Sequence, residues 1–289
     1  AMVNLAVSER RMTYATIMVC LASDQPNEHC LAIASKMVER FDARIIGIAA
    51  AEFSPPLYFT AGEQADEMIE QGRNAIRTRL SELESEFRKV MNRGARHVEW
   101  RSNMETPIRF VAREARAADI IVIGQSRDGA FTDPFARANP SDLVMQAGRP
   151  LLVVPETVDW LDLRSVLVAW KDTQEARRAI ADSLPLLRKA KDITIVEIVE
   201  DDGGREAASN RVHDVVAWLS HHDVVANALV PEQSSKRDAA AALDRIAANV
   251  GAGVIVAGAY GHSRLREWVL GGVTRHLVTE STRCVFLSR

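Results

Sequence analysis

Short runs of continuous apolar residues alternate along this chain with longer stretches whose apolar residues recur at helical spacing. The first pattern is typical of strands buried on both faces, and the second of helices that pack on a sheet. Their alternation predicts βα units around a parallel sheet. The predicted strands are 16–21, 44–49, 97–101, 120–123 and 151–154 in the first half, and 165–170, 193–199, 224–229, 254–257 and 285–287 in the second.

The second half repeats the plan of the first. The run 17–21 (IMVCL) aligns with 166–170 (VLVAW), and 119–124 (DIIVIG) aligns with 253–258 (GVIVAG). We therefore expect an α/β protein of two similar domains, residues 1–157 and 162–289, each a five-stranded, mainly parallel sheet with helices on both faces.

The join between the two predicted domains, 155–163, is too short to let them tumble freely. We expect them to pack against each other as an intramolecular pair, and homodimerisation of the whole chain stays open. Because an unpaired apolar edge strand invites association, the last strands of the two halves, 151–154 and 285–287, should pair.

Composition narrows the function classes. Of 289 residues, 47% are hydrophobic and 26% charged, with a formal charge of −3, so no strong field is present to attract nucleic acid or an anionic membrane. No apolar run approaches the length of a membrane span, and the first ten residues lack the pattern of a signal peptide, which favours a cytoplasmic protein. Cys20, Cys30 and Cys284 fit neither a disulfide framework nor a zinc site and are predicted to be buried or idle thiols.

A glycine-rich segment follows the fourth predicted strand of the second half. Gly258 and Gly261 are separated by two residues, nine more precede Gly271 and Gly272, and Val273-Thr274 then begins a helical pattern. Glycines let backbone N–H groups approach phosphate oxygens, and a helix points its positive end at an anion. In doubly wound sheets ligands bind beyond the carboxyl ends of the strands, so the loops after Trp170 and 257 are the places for a ligand.

This spacing resembles the nucleotide loop of ATP-binding universal stress proteins, whose fold is of the adenine-nucleotide α-hydrolase type. The resemblance implies that ATP or a related adenine nucleotide, with or without Mg, is bound through the residues that match the family's motif. These are Gly258, Gly261, Gly271, Gly272, Val273 and Thr274 of the loop, with Trp170, Lys171 and Asp172 at the end of the first strand of this half. The competing interpretation is that the glycines merely end strands and turn the chain.

Some residues depart from the family pattern. Gly272 stands where a Ser or Thr is usual, which removes one side-chain hydrogen bond to phosphate, and Lys171 stands where an Asp usually accepts a bond from the adenosine. Either Asp172 substitutes for that Asp, or the adenosine binds in a different pose. Trp170 either stacks on adenine or belongs to the core. Arg264 and Arg266 either clamp phosphate or are simply solvated.

The matching segment of the first half has lost most of these features. Gly124 keeps the first glycine, but Arg127, Arg137 and Ala138 replace the later ones, and Pro140 in the following turn has no N–H to donate. We expect the two arginine side chains to fill the space that phosphate would need. The first half then binds no nucleotide in the family's manner and serves as a structural partner, unless the arginines hold some other anion.

The usual enzyme motifs are missing from the sequence, including the P-loop, the dinucleotide fingerprint, the nucleophile elbow and the zinc-protease helix. Neither His262 nor His276 has a visible partner that would make it a base, and His213, His221 and His222 with nearby aspartates are better explained as a solvated helix end than as a metal site.

The function that fits best is a nucleotide-responsive stress protein with an unknown protein partner, no catalytic residues and at most slow ATP hydrolysis. Two alternatives stay open: a nucleotide-free interaction module, and an enzyme acting on an adenylated substrate.

Overall fold

The computed structural model describes residues 13–54, 63–92, 94–95, 97–126, 133–199, 204–231, 239–259 and 272–289. Ten strands in these parts form one sheet in the order β3-β2-β1-β4-β5-β10-β9-β6-β7-β8. The strands are β1 Thr16–Leu21, β2 Arg44–Ala50, β3 Val98–Asn103, β4 Ile120–Gly124, β5 Leu151–Val154, β6 Ser165–Trp170, β7 Asp192–Glu197, β8 Asn227–Leu229, β9 Val254–Gly258 and β10 Cys284–Ser288.

The strand order is the same in both halves, read inwards from each edge of the sheet: third, second, first, fourth, fifth. Neighbouring strands within each half are parallel. At the junction β5 and β10 run antiparallel, with Phe286 opposite Leu152. The prediction that the two last strands pair is confirmed.

Helices cover both faces of the sheet, as expected for βα units. Those of the first face are α1 Glu28–Phe41, α2 Glu63–Met91, α5 Gln174–Leu187 and α6 Arg205–Ser220, and those of the second face are α3 Pro107–Glu114, α4 Pro140–Gln146, α7 Ala239–Asn249 and α8 Gly272–Thr279. Within the described ranges, no helix has both the length and the apolar character that crossing a bilayer would need.

The apolar runs are continuous because the central strands are buried on both faces of the sheet. Ile17 and Val19 face the core under the first set of helices, and Met18 and Cys20 face the core under the second. Both cores extend across the two halves without a break, since Ile17 and Phe286 belong to one cluster and Met18 and Val285 to the other. Burial on both faces therefore selects apolar residues at every position of these strands.

The segment between the halves is part of this packing. Leu161 and Leu163 are buried in the core of the first face. Trp160 is exposed, and the Lys36 Nζ lies 5.6 Å from the centroid of its ring. The short join thus fixes the chain against α1 instead of leaving it as a free tether.

All ten predicted strands are present, with small shifts at their ends. The largest concerns β8, predicted to begin at Val224 and observed from Asn227. Asp223 adopts a left-handed conformation with φ 60° after α6, and the N–H of Val224 donates to the carbonyl of Leu219. Val224 is apolar and buried because it closes that turn, so its hydrophobicity does not mark a strand.

The three cysteines are buried, as predicted. Burial raises the pKa of Cys20 and of Cys284 to about 12, and raises that of Cys30 well above its usual range. Their thiols stay protonated at neutral pH and behave as small apolar side chains.

Candidate nucleotide site

Four of the predicted site residues lie at the carboxyl ends of two neighbouring strands. Trp170, Lys171 and Asp172 lie at the carboxyl end of β6, and Gly258 ends β9, the parallel neighbour of β6. Gly272, Val273 and Thr274 form the first turn of α8. Gly261 and Gly271 lie outside the described residues, together with Arg264, Arg266 and His262.

Gly258 has a packing role that the sequence did not reveal. A Cβ atom at this position would lie 2.5 Å from the backbone nitrogen of Ala176 and 2.6 Å from the carbonyl carbon of Glu175. These are atoms of the first turn of α5, and real Cβ atoms do not approach backbone so closely. A glycine is thus required here for α5 to sit against the end of β9, whether or not a ligand is bound.

Trp170 belongs to the core, as one of the two sequence interpretations held. Its side chain is 9% exposed and joins the core of the first face. Among the described residues its indole nitrogen has no hydrogen-bond partner. A buried N–H without an acceptor is unusual and unfavourable.

The two polar residues after Trp170 differ in their surroundings. Lys171 is exposed at the carboxyl end of β6. Asp172 forms an ion pair with Arg177, one turn into α5. The next residue, Thr173, caps α5, since its hydroxyl accepts a hydrogen bond of 3.3 Å from the N–H of Ala176. Asp172 would therefore have to share its carboxylate between Arg177 and any adenosine.

A cavity of about 460 Å³ opens beside these residues, between α5 and α6. Two of its lining residues, Trp170 and Asp172, were predicted site residues. The others were missed by the sequence reasoning: Arg177, Ile180, Arg211, Asp214, Val215 and Trp218. The last four, at 211, 214, 215 and 218, have the spacing of one face of a helix. Two of them are charged and two are apolar, a mixture that did not indicate a ligand site in the sequence.

Arg211 is fixed at this cavity by Glu197, the last residue of β7. Its Nε lies 3.1 and 3.2 Å from the two carboxylate oxygens of Glu197, and its Nη2 lies 2.5 Å from Oε1. Glu197 is only 6% exposed, so its carboxylate is largely shielded from water, whereas the Arg211 side chain is 35% exposed. These hydrogen bonds raise the pKa of Arg211, which is charged at every physiological pH.

In the first half the space beside Gly124, the counterpart of Gly258, is closed. Only about 10 Å³ of space is left beside Gly124. Arg137 occupies it, with its Nε 3.2 Å from a carboxylate oxygen of Asp24 and an additional hydrogen bond from Nη1 to Gln25. The backbone is tied there as well, because Ser23 donates to the carbonyl of Ala136 through its N–H at 3.1 Å and its hydroxyl at 2.8 Å. The prediction that Arg137 fills this space is confirmed, whereas Arg127 lies outside the described residues.

The first turn of α4 is also unsuited to hold phosphate. Pro140 is its first residue and has no N–H. The N–H of Ser141 donates to the side chain of Asn139 at 2.8 Å. By contrast, α8 begins with Gly272-Val273-Thr274, each with an N–H.

One histidine has partners that the sequence did not show. His276 in α8 lies 2.5 Å from Asp244 through Nε2 and 3.2 Å from Glu280 through Nδ1. The prediction that His276 has no partner is wrong. The sequence did not reveal Asp244 as a partner because it lies 32 residues away, in α7. Within the parts of the chain that the structure describes, no three His, Cys, Asp or Glu side chains gather as a metal site would require.

Sequence comparison identifies no relative: no family model matches the chain, and neither does any curated protein. Solved structures do match over nearly the whole length. A universal stress protein from Archaeoglobus fulgidus DSM 4304 superposes with a TM-score of 0.71 at 14% identity, covering 95% of this chain and 98% of its own.

Two proteins from Pseudomonas aeruginosa also match. A putative universal stress protein of strain UCBPP-PA14 has a TM-score of 0.61 at 11% identity, covering 96% of this chain and 94% of its own. A functionally unknown protein of strain PAO1 has a TM-score of 0.60 at 12% identity, with coverages of 96% and 93%. At such identities the likeness concerns the fold. The structure from Archaeoglobus fulgidus matches both halves of this chain. This chain thus has the adenine-nucleotide α-hydrolase-like fold of universal stress proteins.

Proposed function

We propose that this protein is a tandem universal stress protein, with domains at 1–157 and 162–289, that binds ATP or a related adenine nucleotide in its second domain. Nucleotide binding would alter how the domain pair presents itself to a protein partner in the stress response. The fold and the glycine spacing support the class of protein, and the difference between its halves supports the location of the ligand.

The observation that carries the proposal is this difference at equivalent edges of the sheet. In the first half Arg137, paired with Asp24, occupies the space beside Gly124, and in the following turn Pro140 has no N–H and that of Ser141 is bonded to Asn139. In the second half Gly272 takes the place of Ala138 at the start of α8, with no described atom within 4 Å of the place where a Cβ would stand. A further cavity, between α5 and α6, opens beside Trp170 and Asp172. A helix start with free backbone donors favours an anion.

Lys171 and Gly272 favour the second candidate, an interaction module without a ligand, because both remove a hydrogen-bonding partner that family members use. A direct experiment separates the two. Protein purified without added nucleotide is denatured with acid, and the supernatant is analysed by ion-exchange chromatography and mass spectrometry. The proposal expects adenine nucleotide in the extract, or binding of added ATP by the purified chain with or without Mg. If the chain is a ligand-free module, the extract contains no adenine nucleotide and the titration shows no binding of ATP.

A further inference from the structure

Among the described strands, β3 and β8 stand at the two edges of the sheet, and they differ in length. β8 has three residues and is followed closely by Pro231, which has no N–H to donate. β3 extends over six residues, Val98–Asn103. An edge strand leaves one row of backbone N–H and C=O groups without a partner in its sheet. β3 is thus the edge that is long enough to pair with another strand.

The hydrogen bonds to β2 show which residues of β3 direct their backbone groups outwards. The N–H of Ile45 donates to the carbonyl of His97 at 3.0 Å, and the register continues without a bulge as far as Asn103. Because these directions alternate along a strand, the odd-numbered residues of β3 bond to β2. The even-numbered residues therefore turn their N–H and C=O groups away from the sheet, and these are Val98, Trp100 and Ser102.

The side chains of β3 place two opposite charges symmetrically about one aromatic ring. Trp100 is half-buried and packs against the core of the first face. Glu99 and Arg101, on either side of it in the chain, lie on the second face, where Arg101 Nη1 is 2.7 Å from Glu114 Oε2 of α3. Arg101 Nη2 is also 2.7 Å from Glu99 Oε1. The edge of the sheet therefore carries one negative and one positive charge, two residues apart.

Two copies of such a strand are complementary when they run antiparallel about a two-fold axis at Trp100. Glu99 of each copy then stands opposite Arg101 of the other, in two equivalent pairs. The outward-facing residues meet only outward-facing residues, so about six backbone hydrogen bonds can form between the strands. Opposite charges on directly facing residues, and aromatic side chains next to each other, both stabilise the pairing of strands.

The neighbouring registers with the same backbone hydrogen bonding are opposed by charge. An axis at Glu99 would set the two Glu99 carboxylates opposite each other, and an axis at Arg101 would do the same with two guanidinium groups. Charged residues on an edge strand usually prevent association altogether. Here the alternation of sign excludes the wrong registers and permits one.

The molecule already contains a junction of this geometry, since β5 and β10 join two parallel half-sheets by running antiparallel. We infer that β3 is a self-association surface, through which two copies of this chain pair antiparallel with Trp100 at the two-fold axis. β9, which ends at Gly258, stands six strands away from β3, roughly 29 Å at the usual spacing. The dimer therefore forms without nucleotide.

Sedimentation velocity of the full chain, without added nucleotide and over a wide range of protein concentration, measures this association. The 31.9 kDa chain should be converted reversibly into a species of twice that mass as its concentration rises. Added salt should weaken the dimer, because the charges of β3 are only partly buried.

Two charge variants test the register. Glu99→Arg makes both charged positions of β3 positive, and Arg101→Glu makes both negative. Each variant alone places like charges opposite each other, so its dimer dissociation constant should rise about ten- to a hundred-fold. An equimolar mixture of the two restores opposite charges across the interface and should form a mixed dimer. Loss of ion pairs within the chain cannot produce this rescue, because each variant keeps its own altered strand in the mixture.

A second pair of variants tests the backbone of the edge. Ser102→Pro removes an N–H that points away from β2 and is tolerated at such a position in an edge strand. By symmetry it removes two hydrogen bonds from the dimer, and the dissociation constant should rise about five- to a hundred-fold. Ser102→Ala keeps the N–H and is the matched control, which should associate like the parent. Thermal melting of each variant shows that it is folded.

Several results would overturn the inference. A chain that keeps a mass of 31.9 kDa at every concentration would show that β3 does not pair. A dimer that persists unchanged in both charge variants, or in Ser102→Pro, would have its interface elsewhere. Charge variants that are monomeric alone and stay monomeric when mixed would show that their effect is on the chain itself and not on a complementary partner.

Discussion

At the scale of single residues, the sharpest departure from the family pattern is Lys171. It is exposed at the carboxyl end of β6, where the family places an acceptor for adenosine. The neighbouring carboxylate of Asp172 is engaged by Arg177. A lysine side chain at this edge can reach towards phosphate on its flexible stem but cannot accept a hydrogen bond. Recognition should thus depend more on phosphate charge than on the nucleoside.

The first prediction follows from this. Lys171→Ala should weaken ATP more than adenosine, Lys171→Asp should strengthen adenosine relative to ATP, and added salt should weaken ATP because it screens an exposed charge. Titration calorimetry with both ligands measures the preference. Lys189→Ala removes an exposed lysine just beyond the other end of α5 and is the matched control. An unchanged ATP-to-adenosine preference in Lys171→Ala would show that Lys171 is only a solvated surface residue.

At the scale of elements, the strands could be predicted from the sequence because each is buried on both faces and so is apolar throughout. β3 and β8 are the exceptions: their residues are exposed or half-buried at the two edges of the sheet, and Val224 before β8 is buried for another reason. The cavity could not be predicted, since it depends on how far α6 stands from α5. The role of Gly258 was also hidden, because a glycine that faces a ligand and one that faces a helix look identical in sequence.

The second prediction tests that packing role. Gly258→Ala would place a methyl group against the backbone of α5 and should lower the free energy of unfolding by about 1–3 kcal/mol. Gly272→Ala is the matched control, since no described atom lies within 4 Å of its added methyl group. Urea denaturation of both variants measures the difference. Equal stability of the two variants would mean that α5 can move away without cost.

At the scale of the whole molecule, the two halves share one sheet and two continuous cores. β5 and β10 join them in a single sheet, Gln125 Nε2 donates to the carbonyl of Ser281 at 2.9 Å, and the hydroxyl of Tyr14 donates to the carbonyl of Asp182 at 2.8 Å. Both bonds cross from one half to the other. The cores on each face are likewise continuous.

The third prediction is that both halves unfold together. Urea denaturation followed by far-UV circular dichroism should coincide with that followed by tryptophan fluorescence, because neither half keeps its buried edge when the other is lost. Single-tryptophan proteins that retain either Trp100 in the first half or Trp170 in the second report on each half separately. Two transitions at different urea concentrations would show that the junction is too weak to couple the halves.

The central claim is that one chain holds one adenine nucleotide, in its second half. Calorimetric titration of the full chain with ATP tests it most directly, in the parent protein and in Gly261→Val and Gly124→Ala. The account predicts that one chain binds about one ATP. Gly261→Val should abolish this binding, because the valine side chain would stand where backbone approaches phosphate. Gly124→Ala should retain it, because its added methyl group lies in the closed half, 3.1 Å from Gln25 Nε2 and 3.5 Å from Cys30 Sγ. A stoichiometry of two, or equal loss of binding from both substitutions, would contradict it.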